Sequence, residues 1–99
     1  MSAPQRLTDA QVAAELLTLP QWRRSDDGLG IERRYDFDDF VQAFGFMAQM
    51  AMVSETMNHH PEWSNVYRHV TVRMSTHDAG GLTALDVQWA RRADALAGR

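Results

Sequence analysis

Ninety-nine residues, 44% of them hydrophobic, suffice for one small domain over 1–99 with a modest core. A formal net charge of -3 supplies no broad attraction for a polyphosphate backbone and argues against nucleic-acid binding, so the pairs Arg23-Arg24, Arg33-Arg34 and Arg91-Arg92 are expected on solvated faces. Without cysteine there is no disulfide or thiolate site; with no apolar run of ~18 residues and no apolar leader in MSAPQRLTDAQ, a soluble cytoplasmic domain free of membrane contact is expected.

Thr8 and Gln11 have capping-box spacing, and Ala10, Val12, Ala13, Leu16 and Leu17 follow at roughly helical intervals. They predict a first helix over 8–18, closed by Pro20. WRRSDDGLGIERRYDF reads as two strands around an Asp27-Gly28 turn, with Leu29, Ile31, Arg33, Tyr35 and Phe37 on alternate positions. Asp38 is the expected N-cap of a second helix over 39–57, where Phe40, Val41, Phe44, Met47, Ala48, Ala51 and Met52 recur with helical spacing. Such a stripe is more often core or subunit interface than a pliable binding groove, and Gly45 within it would admit another backbone. Trp63, Asn65 and Tyr67, then VTVRMS from Val70, predict a second hairpin turning near Arg68-His69. After the loop HDAGG, Thr83 and Asp86 repeat the capping-box pattern before a third helix bearing Leu85, Val87, Trp89, Ala90, Ala93 and Leu96. The order α-β-β-α-β-β-α predicts an α+β fold, an antiparallel sheet with helices on one side.

The stretch SETMNHHPEW sets His59 and His60 side by side. Glu55 and His59 share a face if the helix reaches that far, which suits half a metal site or a surface ion pair. His60 precedes Pro61 and is biased toward extended backbone, where neighbouring side chains point apart, so the two histidines chelate one ion poorly. A metal would also need His77 or Asp86 at the same place, and no His-Glu-x-x-His pattern occurs. Imidazoles entering one pocket from different directions suit proton transfer; the same residues also read simply as polar groups at element ends. His77 lies where a strand gives way to a loop whose Gly80 and Gly81 either let a planar ring approach or make a tight connection into the third helix. His69, at the hairpin tip, is assigned no chemistry.

Glu55, three residues, His59-His60-Pro61, five residues, Tyr67, nine residues, His77, eight residues and Asp86 form a fixed series. That series, with the segments FVQAFGFM, NHHPEWSNVY and STHDAGGLT, resembles the pterin-4a-carbinolamine dehydratase family from Trp22 onward. The resemblance implies a four-stranded antiparallel sheet with three helices on one face, in a homotetramer or homodimer built on the Met-rich second helix. It implies a hydro-lyase that removes water from 4a-hydroxytetrahydropterin to give quinonoid dihydropterin in pterin recycling, with the pterin as substrate and no metal or other cofactor. His59 and His77 would do acid/base work, His60 would position the ring, and Asp86 would orient or tune a histidine. The pterin would lie against His59, His60, Pro61 and the segment Thr76, His77, Asp78 and Ala79, with Glu55 a further polar contributor and Trp63 and Tyr67 either pocket wall or core. Two rival readings share the fold: an interaction protein binding a partner helix, as vertebrate relatives do with a transcription factor, and a relative acting on another pterin such as molybdopterin.

Overall fold

Local sequence sets where each element begins and ends. The computed structural model describes residues 4–99; residues 1–3 of the stretch read above for a leader lie outside the described residues. Helix α1 (Asp9–Leu16) starts at Thr8, whose side chain accepts the Gln11 amide while the Gln11 side chain returns to the Thr8 amide. It ends at Leu16, two residues earlier than expected. Strands β1 (Arg23–Arg24) and β2 (Ile31–Asp36) flank a loop in which Gly28 takes a positive φ of 76° that favours glycine. Helix α2 (Phe40–Met57) is capped by Asp39, not Asp38, because Asp39 has the extended backbone that aims its carboxylate at the Gln42 amide. Strands β3 (Glu62–Val66) and β4 (His69–Met74) turn at Tyr67-Arg68, one residue before the expected position. A 3-10 turn (His77–Ala79) leads to helix α3 (Ala84–Ala97).

The four strands form one antiparallel sheet in the order β1-β2-β4-β3, with Arg33 opposite Val72 and Trp63 opposite Val72 from the other side. Alternation sends Ile31, Arg33 and Tyr35 of β2, and Val70, Val72 and Met74 of β4, toward the three helices. There they meet Val12, Phe46, Met50, Trp89, Ala90 and Ala93. The opposite face is polar and laced with ion pairs, among them Arg34 with Asp36 and Arg73 with Glu62.

This packing corrects one expectation and narrows two others. Arg33 does not lie on a solvated face: it is buried, its guanidinium 2.7 Å from Asp94 and over the Tyr35 ring. Asp94 Oδ1 also accepts the Trp22 indole N–H and the Tyr35 hydroxyl, so one carboxylate of α3 ties β2 to the preceding loop. Burial, reinforced by the Asp94 bond, pushes the Tyr35 hydroxyl upward, so it remains a donor. Second, of the core and interface readings open for the apolar set on α2, core within this chain holds only for the partly buried Met47. The buried residues of α2 are Ala43, Phe46, Met50 and Ser54, whereas Phe40, Val41, Phe44 and Met52 point outward. Third, among the described residues no backbone packs on Gly45, since a methyl group there would meet nothing within 4 Å.

Candidate active site

The carboxyl end of α2 creates the site. Asn58 takes the left-handed conformation (φ 50°), and the His59 amide reaches back to the Ser54 carbonyl at 3.0 Å, a Schellman-type closure. The helix therefore stops before His59, and Glu55 and His59 do not share its face as the i,i+4 spacing would have had them. Pro61 then keeps the chain extended into β3. As expected of extended neighbours, His59 and His60 diverge: His59 is buried, while His60 is exposed and pairs with the exposed Glu55.

His59 Nε2 lies 2.6 Å from Asp86 Oδ1. Asp86 is fully buried as the third residue of α3, and its other oxygen accepts the Thr83 amide at 2.9 Å and the Thr76 hydroxyl at 2.8 Å. Cap and histidine partner, the two roles open to Asp86 in the sequence, are thus held by one carboxylate at once. The α2–α3 junction is fixed nearby, where the Trp89 indole N–H donates to Ser54 Oγ at 2.8 Å and Ser54 donates to the Met50 carbonyl. Ser54 is also the residue whose carbonyl accepts the His59 amide, and Trp89 follows Asp86 by about one helical turn, so this bond links the segments that carry the two side chains.

Among the described residues Arg33 Nε is the only buried side-chain nitrogen or oxygen without a partner. His59 Nδ1 has no hydrogen-bond partner among the described residues and is not a fully buried atom, so it keeps some contact with solvent. The dyad has one face sealed against Asp86 and one face free to exchange a proton, the arrangement a general acid or base needs.

The other expected site residues form the rim. Thr76 is buried, and its hydroxyl is directed to Asp86 rather than outward. His77 and Asp78 are exposed on the 3-10 turn, Ala79 and Pro61 are half-buried, and no hydrogen bond joins the His77 side chain to His59 or His60 among the described residues. Gly80 (φ 71°) closes that turn, and Thr76 and Gly81 exchange backbone hydrogen bonds, so the glycines make a tight connection. A methyl on Gly81 would come within 2.9 Å of the Arg6 side chain. Trp63 is half-buried against the edge of Trp89, whereas Tyr67 is exposed at the β3–β4 turn with φ 52°. Thr83 was missed as a site residue; its capping-box pattern was legible, but not its contact with Thr76 at 2.8 Å. His69, left without chemistry, pairs with Asp36 at 2.5 Å on the outer sheet face and lowers the Asp36 carboxyl, with help from Arg34.

A groove of about 740 Å³ lies elsewhere, lined by Arg6, Arg24, Asp26, Asp27 and Gly80, with none of the histidines. Two of its charges pair within the groove, Arg24 with Asp9 at 3.0 Å.

The family model described as pterin 4 alpha carbinolamine dehydratase matches residues 5–96. The chain belongs to this dehydratase family. It is 52% identical over 86 residues (87% of this chain, 90% of the relative) to a Novosphingobium aromaticivorans protein named "Putative pterin-4-alpha-carbinolamine dehydratase". It is 47% identical over 93 residues (94% and 93%) to an Afipia carboxidovorans protein of the same name. Among solved dehydratase-family structures, a transcriptional coactivator/pterin dehydratase from Brucella melitensis superposes with a TM-score of 0.93 at 44% identity, covering 95% of this chain and all of that one. A pterin dehydratase-like RuBisCO assembly factor of the alpha-carboxysome superposes with a TM-score of 0.68 at 25% identity, covering 79% and 90%.

Proposed function

We propose that this protein is a hydro-lyase that dehydrates 4a-hydroxytetrahydropterin to quinonoid dihydropterin. The observation that carries the reading is the His59-Asp86 pair, whose second imidazole nitrogen has no partner among the described residues and is not fully buried. In the reaction the C4a–O bond breaks as an acid protonates the departing oxygen, and a base takes the proton from a ring nitrogen; one water leaves and no electrons are exchanged. His59 and His77 are assigned the two proton transfers. His60, with Glu55, steadies the ring, and Pro61, Asp78 and Ala79 form the rim against which it lies. Thr76 stands behind the rim, its hydroxyl engaged with Asp86 and its backbone with Gly81.

The chemistry requires neither metal nor redox cofactor, and activity is expected to survive chelation. Its test follows the decay of 4a-hydroxytetrahydropterin spectroscopically with purified protein against the spontaneous rate. No acceleration over that rate sinks the assignment.

The exposed stripe of α2 favours self-association. Val41, Phe44 and Met52 are 78%, 58% and 64% exposed, more apolar surface than a lone helix face usually leaves in water. We assign this face to a homotetramer or homodimer; Val41→Asp with Phe44→Asp should reduce the mass seen by light scattering, and an unchanged mass would refute it. An interaction protein could use the same face, and the two structural relatives are described as a coactivator and an assembly factor. Turnover separates that second reading from the first.

A further inference from the structure

The hydrogen bonds behind His59 have a direction that the backbone dictates. Leu85 N–H can only donate, and it points at Thr83 Oγ1 (3.3 Å). Asp86 Oδ2 already receives the Thr83 amide at 2.9 Å, and it takes the Thr76 hydroxyl hydrogen at 2.8 Å. Each hydroxyl has one hydrogen. Thr76 uses its own on Asp86, so in the 2.8 Å contact between the two hydroxyls Thr83 donates and Thr76 accepts. The run is one-way: Leu85 amide, Thr83 hydroxyl, Thr76 hydroxyl, Asp86.

We propose that Thr76 and Thr83 are positioning residues whose hydroxyl relay fixes Asp86 as an acceptor toward His59 and thereby leaves Nδ1 of His59 as the proton-accepting atom. Two donors on Oδ2 favour the carboxylate over an acid that would donate from Oδ1, and a carboxylate can only accept, so Oδ1 faces Nε2 as an acceptor at 2.6 Å. The neutral imidazole must then carry its hydrogen on Nε2, and its lone pair sits on the open nitrogen. Both threonines are buried, Thr83 completely, so water does not compete for these bonds. This rests on the dehydratase reading and deepens it: His59 becomes the base, receiving the ring-nitrogen proton on Nδ1 while Asp86 holds the resulting imidazolium through Nε2–H. The departing hydroxide is protonated by the other acid, assigned above to His77. The sequence marks Thr83 only as a helix cap and Thr76 only as rim, so the relay adds a task to each.

The test reads the tautomer directly in substrate-free protein, from long-range 1H–15N correlation spectra at about pH 8, where an ordinary imidazole is neutral. Wild type is expected to show His59 protonated on Nε2 and bare on Nδ1. Thr76→Val removes the relay hydroxyl at nearly constant volume; a second tautomer should appear and kcat should fall about tenfold, KM staying within about twofold, as expected for one lost hydrogen bond to a charged group. Thr76→Ser restores the hydroxyl and should restore both readouts, which a purely structural loss at this position would not predict. A wild-type spectrum with the hydrogen on Nδ1 overturns the relay without any variant, and so decides the matter even if Thr76→Val fails to fold. So does a folded Thr76→Val protein whose tautomer is unchanged, whatever its rate. Failure of wild type to accelerate dehydration would instead overturn the dehydratase reading and leave the tautomer result standing on its own.

Discussion

Replacing Asp86 with asparagine separates the cap from the chemistry. The asparagine carbonyl can still accept the Thr83 amide and the Thr76 hydroxyl, which lie 2.9 and 2.8 Å from the present carboxylate oxygen. Those two groups are both donors, so the amide has one acceptable orientation, with its NH2 turned to His59. That NH2 meets Nε2 at the place where Oδ1 now sits 2.6 Å away, and a donor there forces the imidazole hydrogen onto Nδ1. The open nitrogen then carries a hydrogen where the mechanism needs a lone pair.

The fold should tolerate this. Three charge-assisted bonds become neutral ones, at a difference of about 1 kcal/mol each. Removing a buried charge offsets part of the loss, so the net cost is roughly 1–2 kcal/mol against a typical 5–15 kcal/mol of stability. Turnover should fall far more, about 100 to 10,000-fold, the usual worth of a positioned acid/base group, though the spontaneous reaction sets a floor. The measurements are urea unfolding and stopped-flow dehydration of 4a-hydroxytetrahydropterin across pH, with His59→Ala as the limiting case and Thr83→Ala as a capping comparison. A folded Asp86→Asn protein with normal turnover and an unmoved pH profile would reduce Asp86 to a helix cap and refute the reasoning.

Asp94→Ala should destabilise by about 3–5 kcal/mol, since it strands the buried Arg33 guanidinium, whose Nε already has no partner; thermal unfolding near wild type would show that the charge finds another acceptor. Gly45→Ala should stabilise by about 0.5–1 kcal/mol, or roughly 3–6 °C in Tm, because a methyl there meets nothing within 4 Å. A loss instead would mean that a second copy's backbone packs on that glycine. Asp27 is held down to about 2 by the Ser25 hydroxyl, the Leu29 amide and Arg73. With the folded value below the ordinary 3.8, the folded chain binds fewer protons, so the contribution is present above about pH 4 and lost as pH falls toward 2. Asp27→Asn should flatten that acid limb in denaturation curves, and an unaltered limb would count against the assignment.

What could be read from the sequence was what is decided locally. Both capping boxes, at Thr8 and at Thr83, occur as expected because each involves four consecutive residues and their own amides. Asp38 was mistaken for Asp39 because two adjacent aspartates have the same chemistry, and only the backbone angles choose between them. Arg33 was misread for the opposite reason: its partner Asp94 lies 61 residues away, and a charge pair in sequence carries no sign of a distant carboxylate. The site divides the same way. Divergence of His59 and His60 followed from Pro61, whereas the 27-residue link from His59 to Asp86 depends on how α2 packs on α3. Family resemblance supplied both residues and a histidine partner for Asp86, but not which histidine, which of its nitrogens is bonded, or the threonines behind them.

The α2 stripe shows what hydrophobic periodicity can and cannot specify. Val41, Phe44, Ala48 and Met52 recur at helical spacing, but so do Ala43, Phe46, Met50 and Ser54 on the other side, and it is the second set that is buried. The buried set is less conspicuous in sequence because alanine and serine permit the close approach of α3, with Ser54 bonded to Trp89, and a small residue contributes little to an apolar pattern. Periodicity thus located two faces without naming the body each one meets. A helix apolar on both faces has one more face than a single sheet can cover. If the outward face met only water, replacing Val41 and Phe44 with aspartate would leave assembly and stability unchanged; if it meets another copy, the same change must dissociate the assembly while the inward face, and with it the Ser54-Trp89 bond that links the segments carrying His59 and Asp86, stays intact.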